Sequence, residues 1–397
     1  MKFYSKNNKF KKIKLTKNNN LRMKKHYNLT RLNFLLIALS ITALVSCHKG
    51  NQVLPTNATP IKIGLYEYSG QGSDYTNYTY YESDIPIATI GNQTVNYQII
   101  FDTGSGGMVI DAANLIPASM ITTNGFNFTG DSTVVNGITI TNQTGTIKYG
   151  ANDATADKVY GNLAYAQVTI GDQNGSVVVK RLPFLLYYKA VNSSNVSYQA
   201  HFFDIFGSSE IYDLNFANNV NLTSPFSFCT YGTGLINGFK LAAVDGSQFS
   251  SSGTYVAGAI TLGLTSNDLS ASSGFILNPI SFNATYGYFP YISGIVNYKS
   301  SPISTHLLFD TGTNFSSIID DPNFTGTGFS QISPNSSVTV STNSGFNYNF
   351  TVTSSTNLSF VEAATNGFSQ SIMGIEYFFK NEFLCDLKNH QIGLKNN

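Results

Sequence analysis

The sequence predicts an all-β protein, and three observations carry that prediction. Apolar runs rich in β-branched and aromatic residues recur along the chain: IPIATIG (85–91), VNYQIIFD (95–102), NGITITN (136–142), AYAQVTIG (164–171), SVVVKRLPFLLYY (176–188), AITLGL (259–264) and FPYISGIVNY (289–298). Such residues suit a pleated, half-buried surface. Gly, Asn, Asp and Ser punctuate the runs with turn chemistry. Long amphipathic patterns of helical period are scarce, and only SSEIYDLN and GIEYFFKN read as brief helices. Short strands at this spacing point to a sandwich or barrel.

Composition supports the same class. The 397 residues are 42% hydrophobic and only 11% charged, which gives a folded chain of one large or two smaller domains. The net charge of +1 hides an asymmetry: residues 1–46 hold 11 Lys/Arg and no Asp/Glu, leaving 23 − 11 = 12 basic against 22 acidic residues, a net of −10, for the rest. An acidic working domain argues against nucleic-acid binding. Five histidines and three cysteines, with no HExxH and no CxxC, give no metal site and no cofactor expectation. Gly232-Thr233-Gly234 has no strand-to-helix context for a phosphate cradle, and no Gly-x-Ser-x-Gly elbow occurs.

The N-terminus reads as a targeting segment. The run NFLLIALSITALV (33–45) follows Lys24, Lys25 and Arg31 and has signal-peptide length. It ends Leu44-Val45-Ser46-Cys47, which resembles a bacterial lipobox whose cysteine is lipidated. That resemblance implies a signal peptide over 1–46, lipidation at Cys47 and a flexible tether over 47–60. It also implies attachment to a bilayer of the bacterial envelope. His48 after the cysteine favours the outer membrane, with the face left open. A signal anchor with an incidental cysteine is the rival, and Met1 and Met23 both stand as starts. Cys229 and Cys385 either pair in an oxidising compartment or stay as buried thiols.

One signature occurs twice. FDTGS (101–105) and FDTGT (309–313) each close an apolar strand, and each is answered downstream by two apolar residues and glycine: Ile205-Phe206-Gly207 and Ile372-Met373-Gly374. A lone Asp-Thr-Gly is ordinary turn chemistry; two matched copies suggest an internal duplication in which each half supplies one aspartate. The spelling fits a shared site. Gly104 and Gly312 admit a second backbone, Thr103 and Thr311 can bond across, and Ser105 and Thr313 can donate to the neighbouring carboxylate. Two carboxylates brought face to face share one proton and titrate as a unit.

Here the chain resembles the pepsin-like aspartic peptidases. YESDIPIATIGNQTVNYQIIFDTGS (81–105) is similar to that family's lead into its first aspartate. IKYGANDATADKVYGNLAYAQVTIG (147–171) is similar to its flap hairpin, and SIMGIEYFFKNEFLCDLKNHQIGLK (371–395) to its C-terminal strand pair. The resemblance implies a bilobal double β-barrel with a cleft between pseudo-two-fold related lobes, 61–268 and 269–397. It implies a water activated between Asp102 and Asp310, support from Thr103, Gly104, Ser105, Thr311, Gly312 and Thr313, and substrate contact from Tyr149 and Gly150 on the flap. The implied substrate is an extended peptide or unfolded protein, cut at acid pH, and a monomer is expected.

The chain departs from the family pattern in places. It has no tryptophan, and Val109 stands where the pattern has the Trp that bonds the flap tyrosine. The second half is short between Asp310 and Gly374, and the flap tip around 151–157 reads as extended. Residues 48–77 carry only Lys49 and Lys62, so a basic inhibitory prosegment is not expected. Two readings from other classes stay open: a pepsin-fold surface protein that binds peptide or glycan without cutting it, and an adhesive surface lipoprotein. The missing Trp favours the first, but neither needs two matched turns.

Overall fold

The strand Gln93–Asp102 shows how pattern becomes position. Its first residues alternate between half-buried and exposed, then Ile99, Phe101 and Asp102 run into the core. The next strand, Gly106–Asp111, is buried throughout, as expected of a strand covered on both faces. The computed structural model describes residues 58–71, 78–150, 156–299, 301–354, 357–364 and 369–397. The signal segment 1–46, Cys47, the tether up to residue 57 and the flap tip 151–155 lie outside the described residues.

Among the described residues there is no α-helix, only short 3-10 turns. Fourteen strands form one sheet and eight another, with three two-stranded pairs beside them. Every run named above lies in or across a strand; AYAQVTIG, for example, falls within Asp157–Asp172 and AITLGL within Thr254–Leu264. The eight-stranded sheet is built between Tyr291 and Met373. The last two strands, Asn381–Asp386 and Gln391–Asn396, return to the larger sheet, where the former pairs with Ile236–Leu241. Residues after 268 therefore feed both sheets.

Each half carries the same strand crossing. Ile205–Ser208 lies parallel to Gln93–Asp102 and antiparallel to Gly106–Asp111. Gln370–Met373 lies parallel to Ile303–Phe309 and antiparallel to Ser317–Asp321. Glycine is required where the strands cross: a Cβ on Gly207 would sit 2.7 Å from the Ser105 carbonyl oxygen, and one on Gly374 1.7 Å from the Phe315 oxygen. Phe101 packs among Phe206, Phe226 and Phe239, and Phe309 against Tyr377 and Phe346. These rings anchor the strand ends that deliver the two aspartates.

Of the two brief helices expected, GIEYFFKN supplies the 3-10 turn Ile375–Phe379. SSEIYDLN forms none. Its backbone groups have distant partners instead: the Ser209 amide donates to Ser105 (2.9 Å), the Tyr212 amide to Tyr286 (2.8 Å), and Leu214–Phe216 pairs with Val220–Leu222. Such tertiary pairing overrides local propensity. Cys229 and Cys385 are both free and buried; burial pushes the Cys229 thiol up to about 12 and Cys385 well above its ordinary value, so neither is poised to react.

Candidate active site

The two Asp-Thr-Gly turns meet. A Cβ on Gly104 would lie 2.6 Å from the Asp310 carboxyl carbon, and one on Gly312 2.8 Å from that of Asp102. Each glycine is thus the space into which the opposite carboxyl fits. The threonines tie the turns together by four hydrogen bonds. Thr103 Oγ1 donates to the Phe309 carbonyl (2.8 Å) and accepts from the Thr311 amide (3.0 Å). Thr311 Oγ1 donates to the Phe101 carbonyl (2.6 Å) and accepts from the Thr103 amide (3.1 Å). Both hydroxyls are buried, so each polar group at this junction is answered by the other half.

Local donors orient the carboxyls. Asp102 Oδ1 accepts from the Gly104 amide (2.7 Å) and the Ser105 amide (3.0 Å), and Oδ2 from the Ser105 hydroxyl (2.6 Å). Asp310 Oδ1 accepts from the Gly312 amide (2.8 Å) and Oδ2 from the Thr313 hydroxyl (2.7 Å). Asp310 has one donor fewer. Its carboxyl is pushed well above the ordinary carboxylate range, by burial first, then by the charge of Asp102 and its hydrogen bond with that residue. The Thr313 hydroxyl and Gly312 amide oppose the shift. Two buried carboxyls in contact hold one proton between them and titrate as a pair.

Tyr149 ends the strand Ile138–Tyr149, one arm of a hairpin whose other arm is Asp157–Asp172. It is buried, and its ring lies parallel to Phe203, centroids 5.6 Å apart. Asp102 and Asp213 are the charges that bear on its hydroxyl. Val109 packs in the same cluster. Phe203 therefore supports the flap tyrosine through its face, and among the described residues the hydroxyl has no hydrogen-bond partner. Gly150 follows at φ +147°, with Ala156 too close for a Cβ.

Three side chains that sequence reasoning passed over belong to the same place. Phe203 backs Tyr149. Tyr291 is half-buried, bonds Gln370 and lies close enough to Asp213 and Asp310 for their charges to raise its hydroxyl. Asp213 faces Asp102 and Tyr149. Nothing in the Tyr-Asp-Leu triplet at 212–214 marks that aspartate; only the folded path brings it to the dyad.

No protein-family model and no curated protein sequence matches the chain. Among solved structures it is similar to the crystal structure of aspartic proteinase from Irpex lacteus, with a TM-score of 0.50 over 86% of this chain and 98% of that chain. The chain has the pepsin-like fold. At 15% sequence identity the likeness is one of fold. Within that fold the two Asp-Thr-Gly turns stand at the junction of the two halves.

Proposed function

We propose that the chain is an aspartic endopeptidase. The observation that carries this reading is the contact between the Asp102 and Asp310 carboxyls, each held by its own turn and locked by the cross-bonded threonines. A water placed between Asp102 and Asp310 loses its proton to the ionised carboxyl of the pair as it attacks the peptide carbonyl, while the protonated one donates to the carbonyl oxygen. No covalent intermediate with the protein forms. Tyr149, on the hairpin above, orients an extended peptide and excludes solvent. The hydroxyls of Ser105 and Thr313 favour ionised carboxylate, which sets an acid working range.

The same proposal places the enzyme on a bacterial envelope, anchored by lipid on Cys47 to the outer membrane, with the face left open. This part is supported by the sequence 33–47 alone.

The test is direct. The full chain, in detergent, is incubated with a denatured protein from pH 3 to 7, with and without pepstatin. Cleavage that is strongest at acid pH and blocked by pepstatin is expected. Peptide binding without cleavage at any pH, or cleavage confined to alkaline pH, overturns the reading. For the anchor, labelled palmitate should enter the wild type and not Cys47→Ala; equal labelling of both rejects it.

A further inference from the structure

The dyad is not the only acidic group beside the first Asp-Thr-Gly turn. The turn before Leu214–Phe216 is pinned in place: the Ile211 carbonyl lies where a Gly106 Cβ would be, 2.0 Å away, and Ile211 bridges to Gly287. The Asp213 amide donates to the Leu222 carbonyl (3.1 Å). This path lays Asp213 against the first Asp-Thr-Gly turn. The Gly106 amide is directed at its carboxyl, while Asp102, Tyr149 and Tyr291 lie close enough for charge to act between them.

What that carboxyl lacks is informative. Asp213 Oδ2 is closed off from solvent and makes no hydrogen bond among the described residues, and neither does the neighbouring Tyr149 hydroxyl. No lysine, arginine or histidine forms an ion pair with it among the described residues. Its charged neighbour is Asp102, of like sign. Asp204 and Asp321, by contrast, have cations: His201 at 2.8 Å, and Lys299 at 3.3 Å with the Tyr298 hydroxyl. Glu67 and Glu376 also keep one oxygen unbonded among the described residues, but each has a serine hydroxyl on the other, and no carboxylate is among the charges that act on either. Asp213 as a residue is half-buried, but an oxygen closed off from solvent without a donor, with a like charge beside it, is costly. In the empty cleft a proton removes that cost, and burial together with Asp102 raises Asp213 well above the carboxylate range.

We propose that Asp213 is a specificity-determining residue, a third carboxyl of the cleft that selects peptides carrying a lysine or arginine side chain beside the bond to be cut. This rests on the endopeptidase reading and goes further by naming the substrate class. A neutral donor would satisfy Oδ2 but leave the charges of Asp102 and Asp213 in opposition. A cation takes the place of the proton, which leaves to solvent, and so satisfies the oxygen and offsets both charges, and the Tyr149 oxygen offers a second acceptor. An apolar side chain in the same place leaves Oδ2 buried and unanswered, the arrangement by which polar sites reject apolar analogues. The net of −10 outside residues 1–46 draws basic peptides in the same direction.

The test uses the full chain and paired peptides that differ only in lysine or norleucine at the two positions flanking the cut. In the wild type the better lysine peptide should exceed its norleucine partner in kcat/KM by about tenfold or more. In Asp213→Asn that ratio should collapse towards one, whatever the absolute rates, and in Asp213→Glu it should persist. Equal rates for the pair in the wild type, or a ratio unchanged in Asp213→Asn, overturn the proposal. Should Asp213→Asn fail to fold, as read by circular dichroism, the wild-type ratio and Asp213→Glu decide. If neither peptide is cut, the endopeptidase reading fails on its own account. Binding of the same two peptides to the wild type by fluorescence anisotropy then decides this one: tighter binding of the lysine peptide supports it, and equal binding rejects it.

Discussion

The two turns 101–105 and 309–313 match almost bond for bond, yet their surroundings do not. Each threonine hydroxyl donates to the other half's Phe carbonyl and accepts the other threonine's amide. Each glycine makes room for the opposite carboxyl. The first turn, however, has an extra amide on its aspartate, Tyr149 and Phe203 above it, and Asp213 beside it. The lesson is a division of labour. What the halves share holds two carboxyls against each other, and what only the first half has is what the proposed function assigns to the substrate.

The largest expected effect breaks the shared part. Asp102→Asn and Asp310→Asn should each lower kcat/KM by at least about a thousandfold, because general acid and general base each contribute roughly that much and neither has a substitute. A variant that keeps a tenth of wild-type activity would show that the pair does not act as a unit. Next come the threonines. Thr103→Val and Thr311→Val each strand a buried amide of the partner turn and a buried Phe carbonyl. A loss of about 1–3 kcal/mol is expected for each in urea melts. Equal losses support equivalent halves; a clear inequality would show that one turn is the scaffold for the other.

That matched scaffold was legible in the sequence. FDTGS and FDTGT, each followed by two apolar residues and glycine, give the site and the strand crossing that supports it, because buried strands and close backbone approach restrict the residues allowed. The asymmetric part was less so. Asp213 sits in an unremarkable triplet, and its segment read as a helix because its partners, Ser105 and Tyr286, lie about 70 to 100 residues away. Pairing over such distances leaves no local periodicity. Val109 in place of a tryptophan pointed to a changed flap support, but not to Phe203 as the ring that supplies it.

A pH effect of intermediate size sharpens the comparison, since each half buries a glutamate bonded to a serine hydroxyl. Burial pushes Glu67 and Glu376 each up to about 8, opposed by hydrogen bonds from Ser83 and Ser316. In the unfolded chain both titrate near 4.5. Between these values the folded state binds protons that the unfolded state has lost. Their contribution is therefore complete below about pH 4.5, falls as pH rises, and is gone above about 8. The slope has a ceiling of about 1.4 kcal/mol per pH unit for each carboxyl. Tm should fall from pH 4.5 to 8, and Glu67→Gln and Glu376→Gln should each flatten the fall by a similar amount. A Tm that rises across this window contradicts the assignment. Stability greatest in acid agrees with the acid working range of the proposed function.

The smallest effect tests the flap. Among the described residues the buried Tyr149 hydroxyl has no partner, while its ring lies against Phe203. Tyr149→Phe keeps the ring and removes an unsatisfied group, so stability should stay within about 0.5 kcal/mol of the wild type or rise slightly. Activity should respond differently, because the hydroxyl is free to meet the bound peptide. The loss of one neutral hydrogen bond would lower kcat/KM by up to about tenfold. Destabilisation of more than about 1 kcal/mol would show that the hydroxyl already has a partner in the folded state. Unchanged kinetics would show that the flap tyrosine acts through its ring alone, and the asymmetric half of the site would then rest on Asp213.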